Sequence, residues 1–205
     1  MSKNVQVIAW VAFIAIVGGV IFYSLSGEGN GNATETGTVS GTEEARSVEI
    51  IKYSDYSCPA CKAYIPFQEQ LKRDFGDQLT IEYRHFPLGG FQYSNLAARA
   101  VEAAGEQGMK DEMHDKIFEG QELWTRGNAE GFFMSYAEEL DLDIEQFQSD
   151  LEADQIRERV QRQRSEGERR MVQSTPTFFI NGQRIQQNPQ NYDQFRSIVE
   201  MYMYR

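Results

Sequence analysis

With 205 residues, 40% of them hydrophobic and two of them cysteine, the chain can build one domain around a real core without a disulfide scaffold. Its formal charge of −11 leaves no basic stripe to neutralise phosphates, which excludes a general nucleic-acid binder and points to an acidic, solvated surface.

The residues from Val5 to Leu25 carry no charged side chain. At about 1.5 Å per residue a helix over them covers the ~30 Å hydrocarbon core, with Trp10 and Tyr23 available near the interfaces. We expect 1–25 to be one membrane anchor, with Lys3 kept in the cytoplasm and everything after Leu25 outside. A cleaved signal peptide is the alternative, because Ser24-Leu25-Ser26 offers small residues at a suitable separation. Both readings export the rest of the chain. Residues 26–46 are Gly, Ser, Thr and Glu with almost nothing apolar, so they cannot offset their ordering entropy and are expected to form a flexible linker.

From Ser47 the composition turns globular. Val48 to Tyr53 reads as a buried strand within about 47–54, and Tyr64, Phe67, Leu71 and Phe75 recur at helical spacing within a helix from Pro59 to Phe75. Gly76-Asp77 leads into a second strand, Leu79 to Phe86, which completes a βαβ unit. A helical tract without strand signals follows from Ser94 to about Gln173. Leu96, Ala100 and Ala103 form one apolar stripe, Met109, Met113 and Ile117 another, and Phe132, Phe133, Tyr136 and Leu140 a third. Asp143 and Gln146 fit a capping box. The charged stretch from Asp154 to Arg170, with only Ile156 and Val160 apolar, reads as a solvated helix. Thr177 to Ile180, Asn181-Gly182 and Gln183 to Ile185 predict a hairpin, since Asn-Gly suits a primed turn. Tyr192, Phe195, Ile198 or Val199 and Tyr202 mark a closing helix.

The chemistry concentrates at Cys58 and Cys61, three residues apart where the first strand meets its helix. Two thiols at this spacing can close into a disulfide or grip a metal. Cys58 is expected at the free N–H groups and positive dipole end of the helix, which stabilise a thiolate, and Pro59 suits the first helical position. That arrangement exposes one thiol and puts Cys61 one turn inside. A purely stabilising disulfide here would close too short a loop to remove much unfolded-chain entropy. Copper or zinc on Cys58, Cys61 and His85 is open by ligand type, although the ligands are too few for a closed zinc site. His114, among Asp111, Glu112 and Asp115, is expected to be exposed. His85, at a strand end, reads as structural, with a part in the chemistry as its alternative.

Asp55-Tyr56-Ser57-Cys58-Pro59-Ala60-Cys61, taken with Ser174-Thr175-Pro176-Thr177-Phe178-Phe179-Ile180-Asn181-Gly182, resembles the DsbA family of thioredoxin-fold thiol:disulfide oxidoreductases. Arg84-His85-Phe86-Pro87-Leu88 is similar to the end of the second core strand in its membrane-anchored members. The resemblance runs from Val48 to the C-terminus. It implies an α/β domain over 47–205, a thioredoxin-like fold with a helical insertion at about 94–173 between a βαβ and a ββα half. It further implies Cys58 as nucleophile, Cys61 as resolving thiol, a cis-proline loop at Thr175-Pro176 that meets the substrate backbone, and no cofactor beyond the Cys58–Cys61 disulfide. The expected activity is oxidase: a monomer passes its disulfide to thiol-containing exported proteins and is reoxidised by an integral-membrane partner. A dedicated reductase or isomerase is the alternative within enzymes; a metal-carrying or chaperone-like binding module is the alternative outside them.

Two positions depart from the family pattern. Pro59-Ala60 lacks the His that some members place before the second cysteine, so a potential between those of oxidising DsbA-type enzymes and reducing thioredoxins is expected. Lys52 stands six residues before Cys58, where relatives carry a buried carboxylate for proton transfer. Its ammonium either favours the Cys61 thiolate or snorkels to solvent. Asp55 and Glu49 are the acidic candidates for that task.

Overall fold

The computed structural model describes residues 46–205. The expected anchor and all but the last residue of the linker lie outside them. Among the described residues, no helix is long and apolar enough to cross a membrane.

Strand β1, Val48–Ser54, is central and pairs in parallel with β2, Leu79–His85, with Val48 opposite Leu79 and Ser54 opposite His85. Its other edge pairs antiparallel with β3, Thr177–Ile180, and β3 pairs with the short β4, Gln183–Arg184, giving the order β2-β1-β3-β4. Between β3 and β4, Asn181 and Gly182 take φ of 45° and 77°, the positive values a two-residue primed turn demands. Asn181 also ties the turn back to β1: its Oδ1 accepts from Glu49 N at 2.8 Å, and its N–H donates to Glu49 O at 2.9 Å.

The helix expected over Pro59–Phe75 is two helices, α1, Pro59–Ala63, and α2, Ile65–Phe75. The break at Tyr64 follows from Pro66, which has no N–H to give the carbonyl four residues back and whose ring crowds it. The insert comprises α3 (Ser94–Gly105), α4 (Lys110–Glu119), α5 (Gln121–Trp124), α6 (Ala129–Glu139), α7 (Ile144–Glu152) and α8 (Asp154–Arg169). Helix α9, Tyr192–Met203, closes the chain. Asp143 caps α7 by accepting from Gln146 N at 2.9 Å. The reciprocal half of the box is not made by Gln146; Gln107 Oε1 accepts from Asp143 N at 2.8 Å instead.

Alternation along β1 assigns its side chains to two layers. Val48 and Ile50 face Leu71 of α2 and Phe195, Val199 and Met203 of α9. Ile51 and Tyr53 face the other way, against Phe86, Val172 and Phe179. Each fully buried Ile, Leu or Phe contributes roughly 1.5–3 kcal/mol, so these layers fix where β1 ends. The insert has its own core of Ala97, Ala100, Val101, Met113, Ile117, Trp124, Phe133 and Phe147. Helix α8 is less solvated than its charge suggested. Ile156, Val160 and Gly167 are buried, and a Cβ at Gly167 would lie 2.7 Å from the Phe86 ring, so glycine lets the helix lie directly on the end of the sheet.

Candidate active site

The C-terminal end of β1 delivers the chain into a tight turn that Asp55 organises. Its Oδ1 accepts from Ser57 N at 2.7 Å and Ser94 Oγ at 2.6 Å, and its Oδ2 accepts from Leu88 N at 2.7 Å. The carboxylate is buried, and burial pushes its pKa up against the pull of these three bonds. Asp55 thus joins β1, the loop after β2 and the start of α3. With its acceptors committed and Glu49 exposed, neither acid points to proton exchange at the cysteines.

Cys58 occupies the N-cap of α1 and Pro59 opens the helix; the N–H groups of Cys61 and Lys62 donate to Cys58 O at 3.0 and 3.3 Å. Across from the turn, the Thr175-Pro176 peptide bond is cis, and Cys58 Sγ donates to Thr175 O at 3.5 Å. The two loops meet. Cys58 is more enclosed than expected, with 7% of its surface exposed, because the proline loop and the insert crowd it; Cys61 has none. The insert reaches the turn through Gln121 of α5, whose Nε2 donates to Tyr56 O at 2.6 Å and Cys58 O at 3.1 Å.

The electrostatics divide the pair. A hydrogen bond from the Cys61 thiol draws Cys58 down to about 5, helped against burial by Thr175 and by the N–H groups of Cys61 and Ala60. Because α1 has one turn only, these local donors and not a long helix dipole supply the pull. Burial pushes Cys61 far up, and so does the neighbouring thiolate. The dithiol therefore carries one negative charge near neutral pH, on the sulfur with residual exposure.

Lys52 does not snorkel. Its side chain lies on the α2 side of β1, in line with Val48 and Ile50, and is 0% exposed. Nζ donates to Cys61 O at 3.1 Å and Gln68 Oε1 at 2.9 Å, and sits 5.2 Å from the Phe118 ring centroid. Burial lowers it to about 8 against the attraction of Cys61 and Cys58.

Both histidines are buried. His85 Nε2 meets Glu102 Oε1 at 2.8 Å, so the ring is committed to α3 and not to the cysteines. His114, expected at the surface, is 3% exposed; its Nδ1 lies 2.8 Å from Tyr56 Oη and its ring stacks 3.9 Å from Tyr83. Its acidic neighbours in sequence face outward while His114 lies on the same stripe as Ile117 and Phe118. Among the described residues, no group of three or more His, Cys, Asp and Glu side chains converges as a metal site.

The sequence alone does not single out Gln68, Glu102 or Gln121. The signal available was a polar residue inside an apolar stripe, as with Glu102 between Val101 and Ala103.

A sheet of this order, with a Cys-x-x-Cys turn after its first strand facing a cis-proline loop and a helical insert between the halves, defines a thioredoxin-fold protein. A family model described as thioredoxin matches residues 33–201, and the chain belongs to the thioredoxin family. Among solved structures, it is similar to a thioredoxin-like oxidoreductase from Silicibacter pomeroyi at 25% identity, with a TM-score of 0.64 and coverage of 77% of this chain and 87% of the other. It shares its fold with BdbD from Bacillus subtilis at 22% identity and TM-score 0.68, covering 78% and 92%. Wolbachia pipientis alpha-DsbA1 is similar at 17% and 0.66, covering 78% and 86%. The curated relatives carry another name. A Na(+)/H(+) antiporter NhaA of Herminiimonas arsenicoxydans is 35% identical over 147 residues, and one of Salinispora arenicola 36% over 147. Those matches take in 72% and 71% of this chain, which spans only 22% of each relative's length.

Proposed function

We propose that the chain is a thiol:disulfide oxidoreductase, with Cys58 as the sulfur exchanged with substrates and Cys61 as the resolving thiol. The observation that carries this reading is the meeting of Cys58 with Thr175 O, above a partner sulfur with no exposure. A substrate thiolate attacks Cys58 Sγ of the Cys58–Cys61 disulfide, and Cys61 leaves as a thiolate that takes up a proton. A second substrate thiolate then attacks the substrate sulfur of the mixed disulfide, which yields the product disulfide and the reduced pair. Stabilising the Cys58 thiolate favours the reduced pair and so makes the disulfide the better donor, which supports the oxidising direction. Pro176 and the backbone of Thr175, whose carbonyl Cys58 gives up when its sulfur ionises or is exchanged, would receive the substrate chain, and Pro59-Ala60 leave the approach to Cys58 without a charged side chain.

We place this domain outside the cytoplasm, where disulfides persist, tethered by residues 1–25 and working as a monomer on thiol-containing exported proteins. An integral-membrane partner would reoxidise it. The proteins named as antiporters, in which similar sequence makes up about a fifth of the length, support work beside a membrane. Oxidative refolding of a reduced model protein, together with insulin reduction, tests the activity; a chain that does neither is a binding module. The thiol state of the pair in cells tests direction, mostly oxidised for an oxidase and mostly reduced for a reductase.

A further inference from the structure

Lys52 is a buried cation that forms no ion pair with a carboxylate among the described residues. Two of its three protons have acceptors, Cys61 O and Gln68 Oε1. The rest of its surroundings are the Phe118 ring at 5.2 Å and the Tyr83 ring at 5.7 Å. The titratable groups that face it are Cys58 and Cys61 from α1, Lys72 from α2, Tyr83 from β2 and His114 from α4. His114 is held neutral by burial, burial likewise pushes up the Tyr83 phenol, and Lys72 repels. The two hydrogen bonds and the two rings act on Lys52 in either redox state; among the described residues, the only opposite charge that faces it is on the two sulfurs, and it exists only while one of them is a thiolate. A buried ammonium without a counter-charge sheds its proton instead of staying ionised.

Resting on the redox reading above, we propose that Lys52 is the positioning residue that couples proton movement to the state of the pair, an ammonium beside the dithiol and a neutral amine beside the disulfide. The balance follows. The reduced site holds the Cys58 thiolate, the Cys61 thiol and the Lys52 ammonium; the oxidised site holds the Cys58–Cys61 disulfide and the Lys52 amine. Oxidation releases two electrons and two protons, one from Cys61 and one from Lys52, to a partner disulfide that leaves as two thiols. When the Cys58 thiolate attacks the partner disulfide, the proton of the Lys52 ammonium passes to the thiolate that leaves; during resolution of the mixed disulfide on Cys58, the amine so formed takes up the proton lost by Cys61. The Cys61 thiolate attacks Cys58 Sγ and the leaving thiolate departs. Lys52, now facing a disulfide, returns the proton to it.

The test is the equilibrium of the protein with reduced and oxidised glutathione between pH 6 and 7.5, in the wild type, K52M and K52R. Glutathione consumes two protons per disulfide reduced, so a wild type that releases two has an equilibrium constant that does not change with pH. Either variant lacks the titrating amine and releases one proton, and its constant for enzyme oxidation falls about tenfold per pH unit. Arginine keeps the charge and donors and still loses the effect, which a merely structural role does not predict. A tenfold fall per unit in the wild type itself, or a flat profile in the variants, overturns the proposal. Should neither variant fold, the wild-type slope decides together with the Cys58 titration: a flat profile with Cys58 already ionised below pH 6 supports the proposal, and a tenfold fall per unit, or a Cys58 still protonated there, overturns it. Failure to equilibrate with glutathione at any pH would overturn the redox reading and this inference with it, whereas exchange with the wrong slope overturns only the inference.

Discussion

Cys58 Sγ donates to the carbonyl oxygen of Thr175 at 3.5 Å, a contact between residues 117 apart in sequence that brings the two halves of the sheet together at one sulfur. The same threonine holds its hydroxyl buried with no hydrogen-bond partner among the described residues. When Cys58 ionises it stops donating and becomes the acceptor this hydroxyl lacks. Thr175→Val keeps the shape and removes the donor. A hydrogen bond to a charged group contributes about 1.5–3 kcal/mol when well formed, and the long sulfur contact argues for the lower end, so the Cys58 titration midpoint should move to roughly 6. Thiolate ultraviolet absorbance against pH measures it; an unmoved midpoint would remove Thr175 from the account.

Alkylation of Cys58 in the reduced chain should rise with pH as its thiolate forms, half-maximal at about 5. The sign matters: the group is an acid held below its ordinary value of 9.0, so reactivity persists above 5 and is lost on acidification through it. Because the Cys61 thiol supplies the largest pull, Cys61→Ala should shift the midpoint upward. Rate profiles with iodoacetamide check both statements, and a Cys61→Ala profile identical to wild type would contradict the assignment of cause.

Glu102 is the buried hub of the insert, receiving His85 Nε2 at 2.8 Å, Lys110 Nζ at 2.6 Å, Arg159 Nη1 at 3.1 Å and Gln163 Nε2 at 3.1 Å. Burial pushes its carboxyl up, but the His85 and Lys110 interactions outweigh this and hold it well below the usual carboxylate range. Glu102→Ala strands these donors and should cost about 3 kcal/mol of stability. A depressed carboxyl contributes above its unfolded value of 4.5, so the gap between wild type and variant should narrow as pH falls below it. Urea unfolding at pH 7 and pH 4 measures this; a loss under 1 kcal/mol would show that the hub is dispensable.

Much of the scaffold could be read from residue patterns because the deciding interactions are local. Alternation in Val48–Ser54, the Asn181-Gly182 turn and the stripe through Phe195 and Val199 each carry their own geometric requirement. The cysteine spacing and Pro176 are local too, and the structure brings them together. What escaped depended on partners distant in sequence. Glu102 is explained only by β2, α4 and α8 arriving around it, and His114 only by Tyr56 and Tyr83. Lys52 departs from the family pattern in sequence alone, yet whether it snorkels turns on α2 covering its side of β1. The alternation of Val48, Ile50 and Lys52 already held that answer.

The most direct test of the central claim, that Cys58 and not Cys61 is the sulfur that meets substrates, is mass spectrometry of two variants exposed to oxidised glutathione. Cys61→Ala should accumulate one glutathione adduct per chain at Cys58, because no second thiol remains to release it. Cys58→Ala should remain unmodified, since Cys61 has no exposed surface. An adduct on Cys61 forming as fast as one on Cys58, or none on either variant, would contradict the account.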